Sequence, residues 1–207
     1  MAGVDAGSLT LGRTALLAGA AGLAAAVPMS AGAWMLYELQ LGPAAAWLLV
    51  AAMLDLVVAG ALYRLLAPVH RDAAALALGL RLVYAAVFVG LTVDLGTARY
   101  AAQQDLETWA DWYLNGWQVL LVLYGVHLLL TGWLIWVSGY LPRWLGALVA
   151  VAGVGYLIDW FVVLIADAEA PLGTLVLFVG ELVFMVWLLV WGRKLQVGPP
   201  SPEPQPA

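Results

Sequence analysis

Six long apolar runs dominate this chain: roughly Ala15–Leu36, Ala44–Leu66, Ala73–Val93, Tyr113–Val137, Trp144–Ala166 and Leu172–Trp191. Each is close to the ~20 residues a helix needs to cross the hydrocarbon of a bilayer. Inside hydrocarbon a backbone must satisfy its own hydrogen bonds, so only helices and closed barrels span it. Runs this long, without a two-residue alternation of polar and apolar positions, read as helices. The chain is 65% hydrophobic and 10% charged, against about 25% charged residues in a soluble domain. The expected fold class is therefore all-α, a polytopic transmembrane bundle of six helices in the cell membrane. The expected organisation is a short segment over 1–12, one membrane domain over 13–196, and a disordered proline-rich tail over 197–207.

The first run has a second reading. Arg13, an apolar stretch, Pro28 and the small residues Ala31-Gly32-Ala33 imitate a secretory signal. The stretch is long for a signal, however, and continues through Trp34, Met35 and Leu36. It is read as a retained first helix.

Charge alternates along the connections. Arg13, Arg64, Arg71, Arg143, Arg193 and Lys194 flank one side of the spans, with His70 beside them; Arg99 stands against Glu38, Asp94, Asp105, Glu107, Asp111, Asp167 and Glu169 on the other. The excess of Lys and Arg on one side is expected to face the cytoplasm, which places both termini there. Trp34, Trp109, Trp112, Trp144 and Trp191 fall near span ends, where an amphipathic ring is well placed. The polar stretch Gly96–Asp111 reads equally as a short helix lying on the membrane surface or as a loop.

Several chemistries are excluded. The chain has no cysteine, which removes disulfides, thiolate nucleophiles and cysteine-ligated metals. A net charge of −5 is not that of a nucleic-acid binder. No phosphate loop, dinucleotide fingerprint or HExxH motif is present. No cofactor and no metal are expected, since a single histidine within the spans argues against a haem pair or a multi-histidine site; one histidine with carboxylates could still hold a metal, but the spacing is not diagnostic.

The segment Gly125–Asp159, "GVHLLLTGWLIWVSGYLPRWLGALVAVAGVGYLID", together with "GELVFMVWLLVWG" at Gly180–Gly192 and Arg81-Leu82-Val83, resembles a family of small bacterial and archaeal multi-span membrane proteins defined only as a domain of unknown function. The resemblance covers most of the chain and implies the six-span layout; it implies no activity. Part of the motif reads structurally. Ser138–Arg143 is a tight turn in which Gly139 permits unusual backbone angles and Pro142 suits the first turn of a helix. Gly146, Gly153 and Gly155 let a neighbouring helix approach closely.

Five ionisable residues lie within the spans: Asp55, Arg81, His127, Asp159 and Glu181. A charged residue at mid-span costs about 2.5–3.5 kcal/mol on insertion scales. Alternating topology puts Asp55, Arg81, His127 and Glu181 near one depth, with Asp159 nearer the acidic end and able to reach water there. At 100° per residue, Tyr124, His127, Thr131 and Ser138 share a face, as do Arg81, Tyr84, Phe88 and Thr92. Tyr156 lies one turn before Asp159. The residues flanking Asp55 and Glu181 are too uniformly apolar to define a face. The candidate ligand- or ion-binding residues are Asp55, Arg81, Tyr84, Tyr124, His127, Thr131, Asp159 and Glu181. If all three acids ionise, Arg81 offsets one of them and a charge of −2 needs relief.

The reading favoured is a site that binds or translocates a small solute, ion or proton. Asp55 and Glu181 would serve as cation or proton sites, Arg81 as an anion partner and His127 as a relay. A non-catalytic subunit or lipid-binding helper comes next. An intramembrane enzyme acting on a lipid or isoprenoid, with Glu181, Asp55 and His127 as acid or base, comes last. Structurally, Arg81 with Asp55 or Glu181 would be an ion pair fixing helix register. The expected partners are the bilayer, a small-molecule or lipid ligand and other copies of the chain in a homo-oligomer, since a short chain without an internal repeat departs from many carriers. The topology is tested by single cysteines at Gly7, Gln103 and Gly198. Only Gln103→Cys is expected to label from outside the cell; external labelling of Gly198→Cys with Gln103→Cys protected would overturn the orientation.

Overall fold

The structure, a computed structural model, describes residues 10–100, 105–165 and 174–195. It contains six α-helices: α1 Leu11–Tyr37, α2 Leu41–Leu66, α3 Arg71–Thr97, α4 Leu106–Val137, α5 Arg143–Ile165 and α6 Thr174–Val190. Five are long and apolar enough to cross a membrane. The sixth, α6, has 17 residues, at the lower end of the range for a span. Large apolar side chains such as Leu17, Val57, Val87, Trp133, Val151 and Val186 are exposed on the outside of the bundle, as lipid contact requires. The disordered tail expected over 197–207, and Asp167 and Glu169 of the acidic end, lie outside the described residues.

The helices start and stop for local reasons. Thr10 caps α1, its hydroxyl accepting from the Arg13 amide. Pro28 sits inside α1 without ending it, since neighbouring helices can satisfy what a proline frees in a membrane helix. His70 caps α3, its Nδ1 accepting from the Ala73 amide at 3.2 Å. The α4–α5 turn follows the expectation for Ser138–Arg143. Gly139 adopts φ +74°, Ser138 Oγ donates to the Ile135 carbonyl at 2.8 Å and accepts from the Leu141 amide, and the Tyr140 hydroxyl donates to the Leu65 carbonyl at the end of α2. Burial pushes the Tyr140 phenol up to about 12, so it remains a donor at neutral pH.

One expectation is corrected. Neither a separate surface helix nor a loop occupies all of Gly96–Asp111. A 3-10 turn covers Ala98–Tyr100, and α4 starts at Leu106, so Trp109 and Trp112 belong to its first two turns, with ring centroids 5.8 Å apart. Seven more residues than expected, Leu106–Trp112, are helical because they carry no Gly or Pro to stop helix propagation.

Each helix packs against its sequence neighbour, and α6 returns to α1, closing a six-helix ring. Consecutive helices run antiparallel, which gives the ring a basic end and an acidic end. At the basic end all six helices contribute to one apolar cluster that includes Ala18, Leu65, Leu134, Leu145, Val149 and Leu188. At the acidic end a second cluster, with Leu41, Leu48, Phe88, Leu95 and Tyr113, is built from α1 to α4. The ionisable residues lie at the level between the two.

A tight seam joins α4 and α5. A Cβ added to Gly132 would lie 2.6 Å from the Gly146 carbonyl oxygen, and one added to Gly146 would lie 2.6 Å from that of Gly132. Membrane helices gain little from hydrophobic burial against lipid, so close backbone packing of this kind supplies their association. Gly132→Ala and Gly146→Ala are each expected to lower stability in detergent by about 1–3 kcal/mol. Gly90→Ala, whose Cβ meets nothing within 4 Å, should be neutral or gain up to ~1 kcal/mol. Thermal unfolding followed by circular dichroism measures both; equal loss at all three positions would contradict the seam.

Candidate functional site

The face shared by Arg81, Tyr84, Phe88 and Thr92 turns inward, and all four side chains are buried. The stripe of Tyr124, His127 and Thr131 on α4 meets it, and α2, α5 and α6 contribute Asp55, Tyr156 and Glu181.

Arg81 donates twice to Asp55, from Nε to Oδ2 at 3.2 Å and from Nη2 to Oδ1. Its Nη1 donates to His127 Nε2 at 3.0 Å. A guanidinium carries only donors, so Nε2 must accept. The ring proton then sits on Nδ1, which donates to the Ala77 carbonyl at 2.8 Å. His127 is thus a neutral imidazole with both nitrogens used. Thr131 Oγ1 lies 3.5 Å from the same Nε2, a long contact that steadies the ring.

Glu181 is held by two phenols. Tyr124 donates to Oε2, and Tyr156 donates to Oε1 at 3.0 Å. Tyr124 also links the two charged groups, because Arg81 Cζ lies 5.3 Å from its ring centroid, within reach of a cation–π contact. Tyr84 packs against Tyr124 with centroids 4.9 Å apart, and its hydroxyl accepts from Trp117 Nε1 at 3.0 Å.

Asp55, Arg81 and Glu181 line a cavity of about 80 Å³ bounded on the α1 side by Gly22, Ala25 and Ala26. A second space of about 310 Å³ shares Met29, Tyr84, Tyr124, Phe178 and Glu181 with it. A third, also about 310 Å³, shares Met29, Ala33 and Trp117 with the second and has Glu107 and Asp111 in its wall. The three lead from the polar level toward the acidic end. On the basic side of His127 lies a void of about 10 Å³, lined by Leu62, Leu66 and Thr131 among others.

Seven of the eight candidate residues come together: Asp55, Arg81, Tyr84, Tyr124, His127, Thr131 and Glu181. Asp159 stands apart from the cavities. It is fully buried, so contact with outside water, one of several ways its charge could be relieved, is not available to it; it faces inward on α5 with Tyr156. Ser138 belongs to the turn. Three contributors were not singled out. Tyr156 had a signal, since its spacing from Asp159 put it on an inward face, but its partner is Glu181. Trp117 had none, being one of 11 tryptophans. The small residues of α1 carry no chemistry and gave no signal, although they create the space. Among the described residues no group of three or more His, Asp or Glu converges as metal ligands would.

A domain of unknown function, DUF4386, matches residues 30–192. An uncharacterised protein of Archaeoglobus fulgidus is 38% identical over 143 residues, covering 69% of this chain and 80% of that protein. No solved structure matches. The chain belongs to the DUF4386 family. In this DUF4386 member the matched region holds Asp55, Arg81, His127, Tyr156 and Glu181, the charged and hydrogen-bonding core of the cavity, and starts within α1.

The geometry ranks the couplings in this DUF4386 protein. Arg81→Leu leaves the part-buried Asp55 without its cation, a loss toward the lower end of the about 3–5 kcal/mol typical of a fully buried pair. Adding Asp55→Leu should restore part of that, because contacting residues are not additive. His127→Leu should couple to Arg81 more weakly than Asp55 does, and Glu181→Leu most weakly, since Tyr124 stands between. Double-mutant cycles read by thermal unfolding in detergent measure the order. Strict additivity of Arg81 with Asp55 would remove the pair from the explanation of the fold.

Proposed function

We propose that this protein binds a small solute or ion at the middle of the bilayer, admitted from the acidic end of the ring. The observation that carries the reading is the cavity. An ion pair serving only to fix helix register would be packed on all sides, yet the Asp55 side chain is 21% exposed against 4% for Arg81, and Asp55 lines one space together with Glu181. Ionisable residues at this depth that face a cavity mark solute or ion sites by default.

Roles follow from the contacts. Asp55 and Glu181 present acceptors to the cavity. Arg81 holds Asp55 and keeps the pair neutral. His127 fixes Arg81 from behind, tied to the α3 backbone through Ala77, and is a positioning residue rather than a ligand. The six-helix cluster at the basic end favours binding over free passage. Translocation would require those helices to separate. With the basic end cytoplasmic, as the loop charges suggest, the site would be reached from outside the cell.

The chain has no cysteine, so an introduced thiol reports unambiguously. Ala25→Cys and Ala26→Cys in the cavity wall are expected to react with a small, charged, membrane-impermeant methanethiosulfonate from the side that labels Gln103→Cys. Ala61→Cys, in the packed cluster, should be at least tenfold slower. Protection of Ala25→Cys and Ala26→Cys equal to that of Ala61→Cys would end this reading.

A further inference from the structure

We propose that the solute is a monovalent organic cation, an ammonium on an apolar body, with Glu181 as its counter-ion. This rests on the reading of the cavity as a binding site and adds the class of ligand.

The first argument is charge at the floor of the cavity. Asp55 and Arg81 neutralise one another through a two-pronged contact. His127 accepts from Arg81 and is uncharged. Beside the Arg81–Asp55 salt bridge, Glu181 is the remaining carboxylic acid on the cavity wall. Each Glu181 oxygen accepts one phenolic proton. A carboxylate oxygen has room for two, so both oxygens can still take an N–H from a ligand while the tyrosines hold the group in place. With Glu181 as carboxylate, the site is short of one positive charge.

The second argument is the approach. The space nearest the acidic end has Glu107 and Asp111 in its wall, and among the described residues no lysine or arginine lines it or the space between it and the floor. Clefts lined by one sign of charge concentrate the opposite sign. The carboxylates at the mouth and at the floor thus act in the same sense, and both disfavour an anion.

The third argument separates an organic cation from a bare ion. A sodium ion needs a shell of about six oxygens in a cavity of its own size. Here, beside Asp55, Arg81, Ser30 and Tyr156, the walls around Glu181 include Met29, Phe178, Leu182, Met185 and the rings of Tyr84 and Tyr124. Aromatic faces attract alkylammonium groups, and within this site Arg81 already lies over Tyr124. Ala25, Ala26, Ala51 and Ala52 leave room for an apolar body beside the charge.

The test uses the full chain in phosphatidylcholine nanodiscs, with empty nanodiscs as reference. 2-Phenylethylammonium and 2-phenylethanol have nearly the same shape and differ in charge. Calorimetric titration is expected to show the ammonium binding at least tenfold more tightly than the alcohol. Glu181→Gln should weaken the ammonium about ten- to a hundredfold, the range for a lost hydrogen bond to a charged group, and leave the alcohol unchanged. Equal binding of the two would overturn the cation and leave the binding site standing. Response to sodium chloride alone would overturn the organic ligand. No binding of either compound, with Ala26→Cys reactive, would also overturn the proposal. No binding with Ala26→Cys protected would remove the site itself. The comparison on unmodified protein decides the question even if Glu181→Gln fails to fold.

Discussion

A guanidinium that cannot lose its proton sits at the middle depth of this bundle, and the arrangement around it follows from that. Arg81 is almost wholly buried, and an arginine stays charged at any physiological pH. Its charge must be met on the spot, because the exterior at that level is lipid. Asp55 meets it from α2 with two oxygens, and His127 takes a third N–H from α4. Three consecutive helices are thereby fixed in register and rotation. A slip of α3 by one residue would turn Arg81 by about 100° and leave two buried charges unpaired.

The helices divide the remaining work between closeness and space. Where α4 and α5 meet, paired glycines let the backbones touch. Where α1 and α2 face the polar level, glycine and alanine do the opposite. The short side chains of Ala25, Ala26, Ala51 and Ala52 stop before the centre, and Tyr84 and Tyr124 are tied to Trp117 and Glu181. The same residue types thus produce contact at one seam and a cavity at another, according to whether a backbone or a held side chain lies opposite. Beyond the polar level toward the basic end, leucines and valines from all six helices close the ring. The cavity is consequently one-sided.

Much of this was legible from the residues alone. The six helices followed from run length and hydropathy, since a bilayer admits few alternatives. The inward faces of α3 and α4 followed from polar spacing, and Arg81, Tyr84, His127 and Thr131 lie where that spacing put them. The pairing of Arg81 with Asp55 rather than Glu181 did not follow. Depth puts both acids at the same level, and rotation about an apolar helix is invisible when every flanking residue is apolar. Tyr156 was read toward Asp159 for a related reason: spacing along one helix is visible, whereas the partner on another is not. The start of α4 was misjudged because polarity was taken as the end of the helix, when polarity only marks where the helix leaves the apolar region.

His127 shows why a histidine suits its position better than either a carboxylate or an apolar residue. Arg81 presents Nη1 toward α4, and an aliphatic side chain there would leave that N–H buried without an acceptor, at a cost of about 1–3 kcal/mol. A carboxylate would accept it but would add a second negative charge next to Asp55, and the pair would no longer be neutral. A neutral imidazole accepts without adding charge. Its other nitrogen needs an acceptor of its own, which the Ala77 carbonyl provides one turn before Arg81 on the same helix. The contact also makes His127 a clamp on α3, since both of its hydrogen bonds end there. On the proposed reading, that is what leaves Glu181 as the cavity's unbalanced charge: the imidazole completes the coordination of Arg81 without consuming or adding a charge, so the pair stays closed and neutral and the carboxylate on α6 is left for the ligand.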